Sequence, residues 1–285
     1  MLTRKICDDE IKYFIEEIKE KGFCVIKRYL AEQDVKFLIN EALFLIEQKG
    51  SNKEGTPLGL QSTIKFDKRL NTVIQYSKDY LDISTTGDHL KIYSEFLNDP
   101  FYGLIPSNDP NFILAQANLR QATSRLAFHV DSRLVTPGYN TWSMQGIIAL
   151  SRKNNLTGGL RVRPGSHLKD YFPDSTKNYS DAEDVDLEPG DMAIFSSQMH
   201  HATHDTKKGQ NSIWALLLTY RSWWCKQQFD LWSMIDSGLL SELNDNQKLI
   251  LGACSVVPHV SSASPSSRHG YAIFKDNKIE NDMYT

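Results

Sequence analysis

Cysteine is scarce in this chain. Its four cysteines, Cys7, Cys24, Cys225 and Cys254, lie far apart in 285 residues and form no C-x-x-C pair. The spacing argues against a structural zinc site and offers no disulfide framework, so a reducing, cytoplasmic setting is expected. An excess of charge of one sign is also missing. Lys and Arg number 32 against 35 Asp and Glu, a formal net charge of -3 with a pI near 6.2, and neither nucleic acid nor an anionic membrane is indicated as a partner. No apolar run approaches membrane-spanning length, and Met1-Leu2-Thr3-Arg4 leads straight into an acidic amphipathic segment without an apolar signal core. The expectation is a protein neither exported by a cleavable signal nor embedded in a membrane. Internal repeats and large low-complexity blocks are absent as well, which excludes a solenoid or array.

What remains is an ordinary globular composition, 40% hydrophobic and 24% charged, long enough for one large domain. Ile11, Phe14, Ile15 and Ile18 recur at helical spacing and predict a helix over 8–20, opened by acidic Asp8, Asp9 and Glu10 and stopped by Gly22. Phe23 to Ile26 reads as a short strand, and Val35, Leu38, Ile39, Ala42 and Ile46 as the stripe of a second helix ending near Gly50. Residues 50–69 read as a loop, and 70–81 and 86–97 as helices, the second stopped at Asn98-Asp99-Pro100.

The pattern then changes to period two. Ile113, Ala115, Ala117 and Leu119 alternate with Gln116, Asn118 and Arg120, a strand with one apolar and one polar face. Further strands are expected over 126–130, 143–150, 159–163, 191–196 and 212–221, separated by Pro-Gly and Gly-Gly turns. From Phe229 the chain reads as helical again before a Ser-rich, charged tail. The predicted fold is α+β, a double-stranded β-helix of jelly-roll or cupin-like type with N-terminal and flanking helices. It is expected as one domain, with 1–110 as helical support, 111–225 as the barrel and 226–285 as C-terminal helices and tail.

Phe128-His129-Val130-Asp131-Ser132 carries the chemistry. A strand holds residues i and i+2 on one face, so His129 and Asp131 can offer nitrogen and oxygen to one ion, two-thirds of a 2-His-1-carboxylate triad for Fe(II). An isolated H-x-D pair is also what a surface salt bridge looks like. The triad needs a third imidazole from a later strand, and Glu188-Pro189-Gly190-Asp191 turns into a strand followed by His200, His201 and His204.

Between these stretches, Gly158-Gly159-Leu160-Arg161-Val162-Arg163-Pro164-Gly165-Ser166-His167 resembles the G-x-L-x-V-x-P-G-S-H signature of the phytanoyl-CoA dioxygenase family of Fe(II)/2-oxoglutarate oxygenases. The order of H-x-D-S, P-G-S-H and P-G-D motifs agrees, over roughly residues 112–224. The resemblance implies Fe(II), 2-oxoglutarate and O₂ as cofactor and cosubstrates, and oxidation of a small metabolite by hydroxylation, desaturation or cyclisation. In the family the distal histidine sits ten residues after the aspartate of the G-D turn, which selects His201 with His129 and Asp131. His200 is then the runner-up, His204 a pocket or loop residue, and His167 structural. Retention of Asp131 argues against halogenation, since related halogenases carry a small residue there.

One departure stands out. Relatives hold the distal carboxylate of 2-oxoglutarate with an arginine eleven or twelve residues after the distal histidine, where this chain has Ser212 and Ile213. Arg221 is on the same strand but roughly 26 Å from Ile213 at strand rise. Asn118 and Arg120, where relatives carry an Asn-x-Lys pattern, are candidate replacements, with Gln116 on the same face. Arg163 is another, because most relatives have an aliphatic residue before the P-G turn. Both arginines also fit solvated strand edges. If Arg120, Arg125 or Arg163 faces the cavity, a substrate bearing a carboxylate or phosphate is favoured. Trp214 and Tyr220 read as core. The alternatives are an Fe(II) oxygenase that uses no 2-oxoglutarate, a non-catalytic barrel with a vestigial metal site, and, remotely, a metal-independent enzyme built on His200, His201, His204 and Asp205.

Overall fold

A computed structural model describes residues 2–49, 68–99, 110–121, 125–132, 134–206 and 214–255. Helix α1 (Asp8–Lys21) buries Ile11, Phe14 and Ile18, and the Glu10 carboxylate returns to accept from Cys7 N at 3.3 Å. Gly22 ends it at φ 90°, a left-handed angle at which a side chain is strained. The His167 ring packs there, with Nε2 donating to Lys19 O at 3.1 Å and Nδ1 only 2.6 Å from where a Cβ on Gly22 would stand. His167 therefore ties the P-G-S-H turn to the end of α1.

Strand β1 (Phe23–Ile26) and helix α2 (Glu32–Lys49) follow as the periodicity predicts. Residues 50–67 of the expected loop lie outside the described residues. The helix predicted over 70–81 is corrected. The chain there forms strand β2 (Lys68–Leu70) and a 3-10 turn (Val73–Gln75), and helix α3 runs only over Lys78–Thr85. Thr72 at φ 51° breaks any helix, its N–H donates to Asn118 Oδ1 at 3.1 Å, and Ser77 Oγ caps α3 by accepting from Tyr80 N. Helix α4 (His89–Leu97) ends at Asn98.

The barrel strands are β3 (Phe112–Gln121), β4 (Leu126–His129), β5 (Ser143–Ala149), β6 (Leu160–Val162), β7 (Glu183–Val185), β8 (Met192–Ser196), β9 (His201–Thr203) and β10 (Trp214–Ser222). They form two antiparallel sheets, ordered β1-β8-β5-β10-β3-β2 and β4-β9-β6-β7. From β3 to β6 the chain crosses between sheets at every step, and β8, β9 and β10 cross again. This is the jelly-roll winding expected of a double-stranded β-helix. Strands β7 and β9 have only three residues each and carry no readable alternation.

The outer face of the larger sheet is covered by helices. Ile18, Leu38, Tyr80 and Ile92 from the helical half share one buried cluster with Leu119, Ile148 and Leu218 from the strands. The C-terminal helices α5 (Leu231–Met234), α6 (Ser237–Glu242) and α7 (Asp245–Ile250) follow, and Leu231 and Ile250 join the same cluster. Gln247 reaches Asp82 and Thr85 at 3.1 Å, and Gln227 donates to Leu114 O and Leu251 O. Trp214 and Tyr220 are buried as expected. No described helix is long and apolar enough to cross a membrane.

His89 is fully enclosed in this core. Tyr29 OH donates to its Nδ1 at 2.7 Å, and Nε2 lies 3.4 Å from the Tyr220 hydroxyl, which itself donates to Ser84 O. Burial pushes the imidazole down to about 3. The unfolded chain, with an ordinary histidine near 6.5, therefore binds the proton that the folded protein refuses. Stability should be complete above that value and fall as pH drops below about 6.5, by up to about 1.4 kcal/mol per pH unit from this one proton. Urea unfolding across pH 4 to 7 checks this: the slope should be shallower in His89→Gln, and equal slopes would refute the assignment.

Candidate metal centre

His129 stands at the end of β4, with Asp131 two residues on at the bend that follows the strand. His201 opens β9, directly opposite His129 in the register between the two strands. The imidazoles lie with ring centroids 4.2 Å apart. His129 Nε2 is 3.6 Å from Asp131 Oδ1, and His201 Nε2 is 3.6 Å from Asp131 Oδ2. One donor atom from each residue falls within 4.8 Å of the others.

The rings are oriented from behind. His129 Nδ1 donates to Ala127 O at 2.8 Å and His201 Nδ1 to Met199 O at 3.0 Å. Because a carbonyl only accepts, each Nδ1 must carry the hydrogen, and the neutral ring then presents its Nε2 lone pair toward Asp131. The donor set of two imidazoles and one carboxylate fits Fe(II) and leaves coordination positions for other ligands. Burial first, then the charge of the nearby His129, brings His201 down to about 4, against the opposing pull of Asp131 and the Met199 carbonyl. Burial alone would raise Asp131, but His201, His129 and Arg120 more than offset it and hold the carboxyl at about 2. For His129 burial is the largest single influence and would lower it, but the hydrogen bond and charge of Asp131, together with the Ala127 carbonyl, raise it on balance. The site thus keeps Asp131 ionised, as a metal ligand must be.

The triad opens into a cavity of about 920 Å³, within the usual range of small-molecule sites. Gln116, Asn118 and Arg120 from β3 line it, so the polar face of that strand points inward. The Arg120 charge reaches both His129 and Asp131. Asn118 and Gln116 belong to a chain of hydrogen bonds. Asn118 donates to Gln116 Oε1 at 3.0 Å, Gln116 to Thr219 Oγ1 at 2.7 Å, and Thr219 to Gln145 Oε1 at 2.5 Å. Gln145 in turn donates to Ser197 Oγ at 2.9 Å.

Arg163 is not a cavity residue, contrary to expectation. Its guanidinium forks onto Asp181 at 3.0 and 2.8 Å, lies 3.0 Å from His200 Nδ1 and stacks 3.8 Å over the Tyr179 ring. The outward pleat of β6 carries it into this cluster, away from the inward-facing Leu160. His200 points the same way, its Nε2 donating to Tyr171 O at 3.0 Å, and His204 pairs with Asp184 at 2.7 Å. His200, His201, His204 and Asp205 therefore do not converge on one site. Ser212 and Ile213 lie outside the described residues.

The cavity also receives Arg69, Lys153 and Arg221, which the sequence reading did not select. Arg69 was hidden by the loop expected over 50–69, yet in β2 it stands directly opposite Arg120. Lys153 lies in a loop bridged to Leu187. Arg221 was legible: it shares the parity of Ala215, Leu217 and Thr219 on β10.

The sequence profile of the phytanoyl-CoA dioxygenase (PhyH) family matches residues 18–210. No curated protein matches significantly. Among solved structures, the 2-oxoglutarate-dependent epimerase SnoN from nogalamycin biosynthesis aligns with a TM-score of 0.57 at 15% identity, over 76% of this chain and 82% of its own. HygX from Streptomyces hygroscopicus, with nickel and 2-oxoglutarate bound, aligns with a TM-score of 0.59 at 14% identity, over 78% and 90%. The carbocyclase SnoK, also from nogalamycin biosynthesis, gives 0.57 at 15%, over 86% and 94%. At these identities the likeness to each is one of fold.

Proposed function

Since the chain belongs to the phytanoyl-CoA dioxygenase (PhyH) family, we propose that it is a cytoplasmic non-haem Fe(II)/2-oxoglutarate-dependent oxygenase acting on a small-molecule metabolite. The observation that carries the reading is the convergence of His129, Asp131 and His201 on one point of a cavity that Arg120 also lines. Bound iron would supply the redox chemistry, coupling loss of CO₂ from 2-oxoglutarate to oxidation of a C–H bond with O₂.

The chain's residues provide position and charge. His129 and His201 offer lone pairs fixed by Ala127 O and Met199 O, and Asp131 offsets part of the metal's charge. Arg120 takes the distal carboxylate of the cosubstrate, a charge-assisted contact supplied from β3 in place of the arginine that relatives carry on the next strand. Asn118 and Gln116, held by Thr72 and Thr219, set the wall beside it. Ile147, Leu217 and Phe195 give the cavity apolar sides. Hydroxylation, desaturation and cyclisation all begin with hydrogen removal from a positioned carbon, so substrate pose decides among them.

Anaerobic titration of Fe(II)-loaded protein with 2-oxoglutarate tests this. A visible charge-transfer band should grow and saturate near one equivalent. Stoichiometric Fe(II) uptake without the band would favour an iron oxygenase that uses no 2-oxoglutarate, the reading that Ser212 and Ile213 support. Absence of Fe(II) uptake would leave a non-catalytic barrel.

A further inference from the structure

Strand β10 lines the cavity along its length through Ala215, Leu217, Thr219 and Arg221. The register sets Arg120 opposite Ala215 at one end and Ser143 opposite Arg221 at the other. Six residues of strand separate these ends, about 20 Å. The triad is tied in between, toward the Arg221 end: Ser197 O accepts from Asp131 N at 3.1 Å and Ser132 N at 3.0 Å, and Ser197 N donates to Ser143 O at 3.1 Å. A five-carbon dicarboxylate is no longer than about two strand residues, roughly 7 Å, so one chelated at the metal and held at Arg120 does not reach Arg221.

Arg221 is placed as a fixed recognition group. Its Nη1 donates to Lys226 O at 2.9 Å, and its guanidinium lies 5.8 Å from the centre of the Trp142 ring. Gln228, which also lines the cavity, is pinned by its backbone N–H to Ala115 O at 3.1 Å. A guanidinium fork of this kind matches a planar carboxylate or a phosphate better than any neutral group.

We infer that Arg221 and Gln228 form a second anion subsite, separate from the cosubstrate's, that holds a carboxylate or phosphate group of the primary substrate. The inference deepens the oxygenase reading and rests on it for the identity of the first anion. The substrate is then an organic anion whose charged end sits at Arg221, with the carbon to be oxidised turned toward His129, Asp131 and His201.

Benzoate and inorganic phosphate are suitable probes. Their binding is followed by ligand-observed proton and phosphorus NMR on full-length protein carrying diamagnetic Zn(II) and 2-oxoglutarate, and again on metal-free protein. At least one probe should bind the loaded wild type without displacing 2-oxoglutarate. Arg221→Gln should weaken it at least tenfold and Arg221→Lys about threefold, while 2-oxoglutarate affinity changes less than twofold. Preference for benzoate assigns a carboxylate, and preference for phosphate a phosphate ester. Binding of neither probe, displacement of 2-oxoglutarate by the probe, or unchanged probe affinity in whichever Arg221 variant folds would overturn the inference. If 2-oxoglutarate fails to bind but the probe still depends on Arg221, the oxygenase reading fails and the anion subsite stands.

Discussion

Alanine in place of His129 or His201 is expected to lower Fe(II)-dependent decarboxylation of 2-oxoglutarate by at least roughly a thousandfold, equivalent to about 4 kcal/mol of lost transition-state stabilisation. Each histidine brings one lone pair to the site, and its ring is already fixed by a backbone carbonyl, so no neighbouring side chain can take its place. His200 is the nearest imidazole in sequence, but it is committed to Arg163 and Tyr171 O. The fold should survive, because neither histidine belongs to the main apolar cluster that joins helices and strands. Circular dichroism unchanged alongside loss of iron binding would establish the role. Retention of one equivalent of Fe(II) in His201→Ala would remove His201 from the ligand set.

Arg120→Leu is expected to weaken 2-oxoglutarate binding about thirty- to a hundredfold while leaving Fe(II) uptake intact. A charge-assisted contact to a carboxylate contributes about 2–3 kcal/mol, and each 1.4 kcal/mol is tenfold in affinity. Arg120 is selected over Arg163 by placement: one lines the cavity and its charge reaches His129 and Asp131, the other is spent on Asp181. Asn118 donates to Gln116 and accepts from Thr72, so its contribution is to orient the wall. Titration of the anaerobic charge-transfer band measures the effect. An unchanged dissociation constant in Arg120→Leu would move the anchor to Arg69 or Lys153, which line the same cavity.

The sequence revealed much of this because period two and period 3.6 are strong signals in long elements. Strands β3, β5 and β10 and helix α1 fall within two residues of expectation, and helix α4 within three. It hid what depends on contacts distant in sequence. Helix 70–81 failed because Thr72 adopts a left-handed angle and is bonded by Asn118, 46 residues away. Strand β9 is too short to alternate, yet it carries His201, which had to be found by motif spacing. Arg163 followed the outward pleat of β6 into a cluster with Asp181 and Tyr179, partners that no local pattern announces. Arg69 and Lys153 came to the cavity through an edge strand and an isolated bridge, where register and not composition decides what faces inward.

The turn from Ser197 to His201 has a further consequence. Ser197 O holds Asp131 and Ser132, Gln198 donates to Ser132, Leu134 and Thr136, and His200 engages Tyr171 O and Arg163, whose partner Asp181 closes the 171–181 segment. His201 completes the triad one residue later. Five consecutive residues therefore set a metal ligand and the roots of two mouth loops at once. Substrate preference cannot be redesigned through this turn without disturbing iron retention. Variation that retunes the mouth alone has to be placed at the loop tips, around Pro137 to Tyr139 and Phe172 to Lys177, beyond the residues that this turn holds.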